Sequence, residues 1–363
     1  MRKYKILNYI LSFTAVILSV LLISNFSAKN YVVSTGKLVG FYVISIVLVS
    51  FICTFFHELG HLIGAKRVGF SVITFCVWFF KFYKVKNKTK FSFVFPEDSG
   101  YTESCPKDTI NLEKKFKKTI VFALIFSIIP VFFCLPSFIF DNLPFFLFTF
   151  FSTFLPIAIY GVLNNFIPMS ENGVRNDGEV LRGLKILDDE TKVTISLLKI
   201  QAELYQGKTP SDINEEFLFD LPQLPEDSVN FTALTLYRYY FYLDKNDLEN
   251  AKKQLERLNS LTKYMSKIYK AHVGAQRLFY YSFIEKDENV ADDLTYENEK
   301  YLNAVNDSVN IRAKLAYICF IKGDKESFES FYKMGKKVSK RQNLTGVKLF
   351  ELKLLDAIKN KVE

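Results

Sequence analysis

Cysteine offers this chain no framework. Its five residues, Cys53, Cys76, Cys105, Cys134 and Cys319, are odd in number and contain no CxxC pair, which argues against both a disulfide scaffold and a thiolate metal site. Histidine is scarcer still, at three residues in 363. Imidazole chemistry must therefore come from His57, His61 and His272. Charge is also missing, but only locally. Four stretches, Ile6 to Ala28, Leu38 to Phe56, Thr119 to Phe140 and Asn142 to Ser170, contain no charged residue. Each approaches or exceeds the roughly 20 helical residues that cross about 30 Å of hydrocarbon.

What is abundant fits those gaps. Hydrophobic residues make up 49% and aromatic residues 16% of the chain, high for a soluble protein. Four spanning helices are expected, because backbone in lipid must satisfy its own hydrogen bonds. The first stretch follows Arg2, Lys3 and Lys5 like a signal peptide, but it outruns the apolar core of about 7 to 15 residues usual there, so it is read as an uncleaved span. The formal charge of +9 raises the prospect of a nucleic-acid partner, which the location of the basic residues argues against. They crowd beside the spans, densely from Lys66 to Lys118 between the second and third, whereas only Lys29 and Lys37 lie between the first and second. The positive-inside rule then puts both termini and the 65 to 118 segment in the cytoplasm, with the turn near Asp141 to Pro144 outside.

Past Lys66 the pattern shortens. Phe70 to Phe82 and Phe91 to Phe95, rich in aromatic and β-branched residues, flank the basic KVKNKTK and predict a β-hairpin. Residues 96 to 118 read as a loop. Pro130, Pro136, Pro156 and Gly161 would interrupt the third and fourth spans. From about Asp188 charges are frequent and no apolar run approaches a span. Three stretches there are loosely alike, YFYLDKNDLENA, YSFIEKDENVAD and YICFIKGDKESFE; each ends an aromatic helix, crosses a polar turn and starts a charged amphipathic one. They predict helix pairs similar to tetratricopeptide repeats, with an ordinary helical bundle as the alternative. The expected architecture is an α-helical polytopic membrane domain over residues 1–185, with a short hairpin, and a soluble all-α domain over 186–363.

The sequence FFHELGHLIG, residues 55 to 64, carries the chemistry. His57 and His61 are four apart, so on a helix they share one face about 6 Å apart along the axis. Both imidazoles can reach one ion, and zinc suits neutral imidazole. Glu58, beside the first of them, can take a proton from a zinc-activated water. This is the metalloprotease pattern HExxH. A carboxylate at such depth costs roughly 2.5 to 3.5 kcal/mol on insertion scales, so an intramembrane acid is by default functional. A catalytic zinc needs a third protein ligand. With His272 far off in the sequence, that ligand is a carboxylate: Glu97, Asp98, Glu103, Glu171, Asp177 or Glu179, of which the last three directly follow a span.

The segment NNFIPMSENGVRNDGEVL narrows the choice. With HELGH it resembles the site-2 protease family of intramembrane zinc metalloproteases, which pairs HExxH on one span with a later NxxPxxxxDG segment at the cytoplasmic end of another. The matching positions are Asn165, Pro168, Asp177 and Gly178, except that eight residues, MSENGVRN, separate Pro168 from Asp177 where the family usually has four. Glu171 stays open as a fallback. The resemblance covers roughly residues 38 to 185. It implies zinc held by His57, His61 and Asp177, with Asn165 holding the substrate strand or the developing oxyanion. It further implies a substrate that is a transmembrane protein or a membrane-bound, signal-peptide-like segment, in a bacterial cell membrane. No PDZ domain is visible.

A substrate helix must unwind before its carbonyls can be attacked, and the extended chain can regain hydrogen bonds on a sheet edge; Phe70 to Phe82 is expected to supply that edge. The helical domain is expected to bind a protein partner. Two other readings stay open: a membrane-anchored zinc protease with Glu97 or Glu103 as third ligand, acting on cytoplasmic peptides, and a scaffold or receptor that is not an enzyme.

Overall fold

The computed structural model describes residues 2–85, 88–95, 99–171 and 173–362, without the side chains of residues 2–5 and 171. Glu97, Asp98 and the Glu171 side chain, three of the candidate third ligands, lie outside the described residues, as does Lys86 of the basic run. The chain is mostly helical and divides into two compact units. The first takes in the residues up to Thr191 apart from Val85–Lys88 and Pro106–Thr109; the second is those two segments with Lys192–Glu363.

Four helical segments of the first unit are long and apolar enough to cross a membrane. They are α1 (Arg2–Asn30), α2 (Thr35–Arg67), a third segment that begins as α3 (Leu112–Ile128), and α5 (Phe145–Phe166). The third is broken where the sequence places its prolines. After Ile128 the chain tightens into a 3₁₀ turn, Ile129–Cys134, and resumes as α4 (Pro136–Ile139). Pro130 and Pro136 open these two pieces, positions where a missing N–H leaves no helical acceptor unpaired. Pro156, in contrast, lies inside α5.

Helix α2 runs well past its uncharged stretch because HELGHLIG continues it. Its Gly60 and Gly64 face α3 so closely that a Cβ on Gly60 would stand 2.6 Å from Ala123 Cα, and one on Gly64 2.9 Å from Phe122 Cβ. Small residues four apart let two membrane helices approach in this way. Helix α5 packs on α1 through Phe26 and Phe148, whose rings stack 5.7 Å apart. It meets α2 through Phe154, buried with Val49 and Cys134.

Between α2 and α3 the chain forms a four-stranded antiparallel sheet rather than the expected hairpin. Strands β1 (Ser71–Val77), β2 (Phe80–Val85), β3 (Lys88–Phe93) and β4 (Gly100–Cys105) lie in the order β3-β2-β1-β4. Phe70 to Phe82 is therefore itself a hairpin. Its two-residue turn is Trp78–Phe79, with Val77 opposite Phe80. Trp78 adopts φ 51°, and its backbone N–H donates to Ser99 O at 2.7 Å. The ring packs edge-on to Phe51 of α2, and Phe55 of α2 does the same to Phe75. One consequence corrects the sequence reading: β1 is paired on both sides and offers no edge, while β4, within the segment read as loop, is an edge strand. A second small ladder joins β5 (Ser170–Glu171) to β6 (Val174–Arg175), and α6 (Asp177–Ile186) follows.

Among the described residues, Lys192 onward in the second unit holds helices and turns and no strand. After α7 (Asp189–Gln206) and the short α8 (Glu216–Phe219), α9 (Val229–Asp244) pairs with α10 (Leu248–Leu261) and α11 (Lys267–Tyr280) with α12 (Glu288–Glu297). Short α13 (Glu299–Ala304) leads to the pair α14 (Ser308–Phe320) and α15 (Phe328–Ser339), closed by α16 (Thr345–Val362). The three similar sequence stretches fall on the three turns. In each turn a left-handed residue, Asn246, Lys286 or Gly323, precedes an aspartate whose carboxylate accepts from the backbone N–H three residues on: Asp247 from Asn250, Asp287 from Val290, Asp324 from Ser327. The core between the pairs includes Leu255, Phe279, Leu315 and Phe350, and it also contains Arg312, fully buried, ion-paired to Glu351 at 3.1 Å.

Candidate metal centre

Helix geometry brings the imidazoles of His57 and His61 to one face, their ring centroids 5.0 Å apart. The carboxylate of Asp177 meets them. Asp177 Oδ2 lies 3.2 Å from His61 Nε2 and 3.6 Å from His57 Nε2, and one ligand atom from each of the three residues lies within 4.8 Å of the others. That carboxylate oxygen is buried and makes no hydrogen bond of good geometry, an arrangement that costs desolvation energy unless a cation takes the bond's place. Two imidazole nitrogens and one carboxylate oxygen are a donor set zinc accepts, with a fourth position left for water or substrate. The residues present fit the ion.

Asp177 is held by its neighbours. Asn176 caps α6, its Oδ1 accepting from Glu179 N at 2.9 Å and from Met169 N at 3.0 Å, while its Nδ2 donates to Ile167 O at 2.7 Å. Gly178 lies so near the end of α5 that a Cβ there would stand 2.3 Å from Phe166 O. The long spacing after Pro168 has a structural account. Ser170 pairs with Arg175 and Glu171 with Val174, and Asn176 N donates to Met169 O at 3.0 Å. The two ends of this segment are thereby held together, so the cap and Asp177 stay beside the end of α5. Arg175 then bonds both oxygens of Asp188, each at 3.1 Å. Burial alone would raise the Asp188 pKa, but hydrogen bonds from Arg175 and Thr191 outweigh it and hold the carboxyl below its ordinary value.

The remaining candidates are placed elsewhere. Glu103, on β4, accepts from Thr74 Oγ1 at 3.1 Å. Glu179 is buried and forks with Arg182. His272 belongs to the second unit, 3.5 Å from Gln276 Nε2, where burial lowers its pKa.

Around His57 two further side chains converge. Ser127 Oγ of α3 is 2.8 Å from Nδ1, and Asn165 Nδ2 of α5 is 3.3 Å from the same atom. Ser127 Oγ donates to Ala123 O at 2.9 Å, so its lone pairs face the ring. A proton on Nδ1 donated to Ser127 leaves the Nε2 lone pair for a metal. The Asn165 amide then turns its oxygen toward Nδ1, a half-turn that leaves its outline unchanged. Glu58 is 5% exposed; its Oε2 accepts from Thr102 Oγ1 of β4 at 2.8 Å. His57, Glu58, Gly100, Tyr160 and Asn165 line a cavity of about 1020 Å³.

Asn176 carried a sequence signal, the cap preference for asparagine ahead of Asp-Gly-Glu. Ser127 and Thr102 carried none, since their partners are 70 and 44 residues away. No family model, curated protein or solved structure matches the chain.

Proposed function

We propose that this protein is an intramembrane zinc metalloendopeptidase. The observation that supports the reading most directly is the buried Asp177 Oδ2, without a hydrogen bond of good geometry, set against the Nε2 atoms of both His57 and His61. It coincides with the resemblance of HELGH and the Asn165–Gly178 segment to site-2 proteases. Zinc, when bound by these three residues, would polarise a peptide carbonyl and bring the pKa of a water to about 7.

The rest falls to the chain's own side chains. Glu58 takes the proton of the attacking water and returns it to the departing amide nitrogen. Asn165 lies beside His57 at the cavity wall, placed to hold the substrate backbone or the oxygen that gains charge. The substrate segment enters unwound, a transmembrane or signal-peptide-like stretch of a membrane protein. Strand β4, an edge of the sheet whose Gly100 lines the cavity, can take up its backbone hydrogen bonds. In this reading the chain lies in a bacterial cell membrane, and the crowding of lysines between the second and third spans favours both termini and the metal centre toward the cytoplasm. The helix pairs of the second unit, similar to tetratricopeptide repeats in their helix-turn-helix plan, present a surface for a protein partner.

Purified protein is tested for bound metal and for membrane-substrate cleavage. One zinc per chain is expected, abolished by Asp177→Asn and retained by Glu103→Gln, with cleavage abolished by Glu58→Gln. A metal-free wild type, or cleavage unaltered by Glu58→Gln, would sink the reading.

A further inference from the structure

The sheet does more than flank the metal helix. Thr102 of β4 directs its hydroxyl at the side chain of Glu58, Oγ1 to Oε2 at 2.8 Å, with the Glu58 backbone carbonyl a longer 3.2 Å from the same oxygen. The approach is built into the backbone. A Cβ on Gly100, two residues earlier on the strand, would stand 3.0 Å from Glu58 Cγ and 2.8 Å from Thr54 Cγ2, so only glycine lets β4 lie this close to α2. Thr102 is fixed from its other side by pairing with Phe75 of β1. Its donor therefore comes from a rigid strand rather than from a mobile loop.

We propose that Thr102 is the positioning residue for the general base, a role that rests on the peptidase reading above. A glutamate has three side-chain torsions, and the last, about the carboxylate, is broad and nearly two-fold. A charge-assisted bond from a fixed hydroxyl selects one rotation of the carboxylate plane. The lone pairs that must receive the water proton are then aimed before substrate arrives, and a base works only within hydrogen-bond reach of the proton it takes. Because Thr102 sits on an edge strand, a substrate segment that pairs with β4 is brought to the same strand that sets the base. Binding and proton transfer share one element.

Thr102→Val keeps the size and β-branching of the side chain and removes only the donor; Thr102→Ser keeps the donor. Both are compared with wild type in the full-length, detergent-solubilised protein. Three quantities are read: zinc per chain, cleavage of fluorescein-labelled casein as an unfolded polypeptide probe, and the dissociation constant of acetohydroxamate, whose hydroxyl proton the base accepts when the group binds zinc. For Thr102→Val we expect unchanged zinc, kcat lower by about 10-fold or more, within the range general-base catalysis contributes, KM changed less than kcat, and weaker hydroxamate binding. Thr102→Ser restores both kcat and hydroxamate binding. On a Glu58→Gln background Thr102→Val should weaken hydroxamate binding no further, because its effect passes through Glu58; a merely structural residue would weaken both backgrounds alike. A zinc-loaded, active wild type with Thr102→Val within two-fold of it in kcat and hydroxamate affinity overturns this proposal alone. A wild type that takes up no zinc overturns the peptidase reading and this one with it.

Discussion

The Ser127 hydroxyl stands 2.8 Å from His57 Nδ1 and itself donates to Ala123 O at 2.9 Å. A relay of this kind fixes the ring's rotation and its tautomer, and outer partners of metal ligands are typically worth about 10- to 100-fold in metal affinity. Ser127→Ala should therefore weaken zinc binding by about that factor while the fold persists. Competition with a chelator of known affinity measures it, and an unchanged dissociation constant would show that His57 needs no partner.

Gly60 makes a prediction about the scaffold. Its missing Cβ is matched by Ala123 Cα at 2.6 Å and Phe122 O at 2.7 Å, whereas Gly40 on the same helix has nothing within 4 Å. Gly60→Ala must push α2 from α3, and overpacking of this sort costs about 1 to 3 kcal/mol. Gly40→Ala should instead leave the thermal midpoint unchanged or raise it, because alanine loses less conformational freedom in a helix. Equal midpoints for the two variants in detergent would refute the close-contact argument.

The spans and the HELGH pair were legible in the sequence because lipid imposes an unbroken apolar length and helical periodicity alone puts residues four apart together. Asp177 was approachable only through the resemblance of its segment to that of site-2 proteases, and the structure places its carboxylate beside the two imidazoles. The four-stranded sheet was not. Its first turn is Trp78–Phe79, with none of the Asn or Gly that normally mark a two-residue hairpin, and its fourth strand, GYTESC, has too few apolar residues to alternate visibly. Both are stabilised by tertiary contacts, Trp78 with Phe51 and Thr102 with Glu58, and such contacts leave no local signal. The capped turns of the second unit were visible as a repeated polar pattern, but not the buried Arg312 and Glu351 pair, 39 residues apart.

Acid should act on the Arg175–Asp188 pair, which brackets the helix that Asp177 begins. Asp188 is held below its ordinary carboxylate pKa: burial opposes this, and hydrogen bonds from Arg175 and Thr191 prevail. The sign follows from linkage. A carboxyl whose folded pKa is depressed stabilises the fold above its unfolded value, about 3.9, and that contribution fades as the pH falls toward the depressed value. At pH 7 Asp188→Asn should lower the thermal midpoint, and the gap from wild type should close as the pH drops below about 4. Comparing the two proteins at each pH removes the separate effect of histidine protonation on metal binding. A gap that stayed constant down to the lowest pH would mean the ion pair contributes nothing.

Gly178 separates the chemistry of a ligand from its placement. A Cβ there would meet Phe166 O at 2.3 Å, about 1 Å short of ordinary van der Waals contact, so in Gly178→Ala the first turn of α6 must retreat from the end of α5. Zinc to carboxylate bonds are about 2.0 to 2.2 Å and tolerate deviations of only about 0.2 Å. A shift of the size required takes Asp177 out of range of both imidazoles while leaving its carboxylate intact. Gly178→Ala should thus bind zinc at least about 10-fold more weakly, as loss of well-placed ligand support does. It should recover metal and cleavage when free zinc is raised, because the loop can still close at an energetic cost. Asp177→Asn should recover neither at any concentration that leaves the protein soluble. Titrating both variants with zinc and reading bound metal beside casein cleavage tests this. If the alanine variant bound zinc as tightly as wild type, the close approach of α6 to α5 would not be what sets the third ligand.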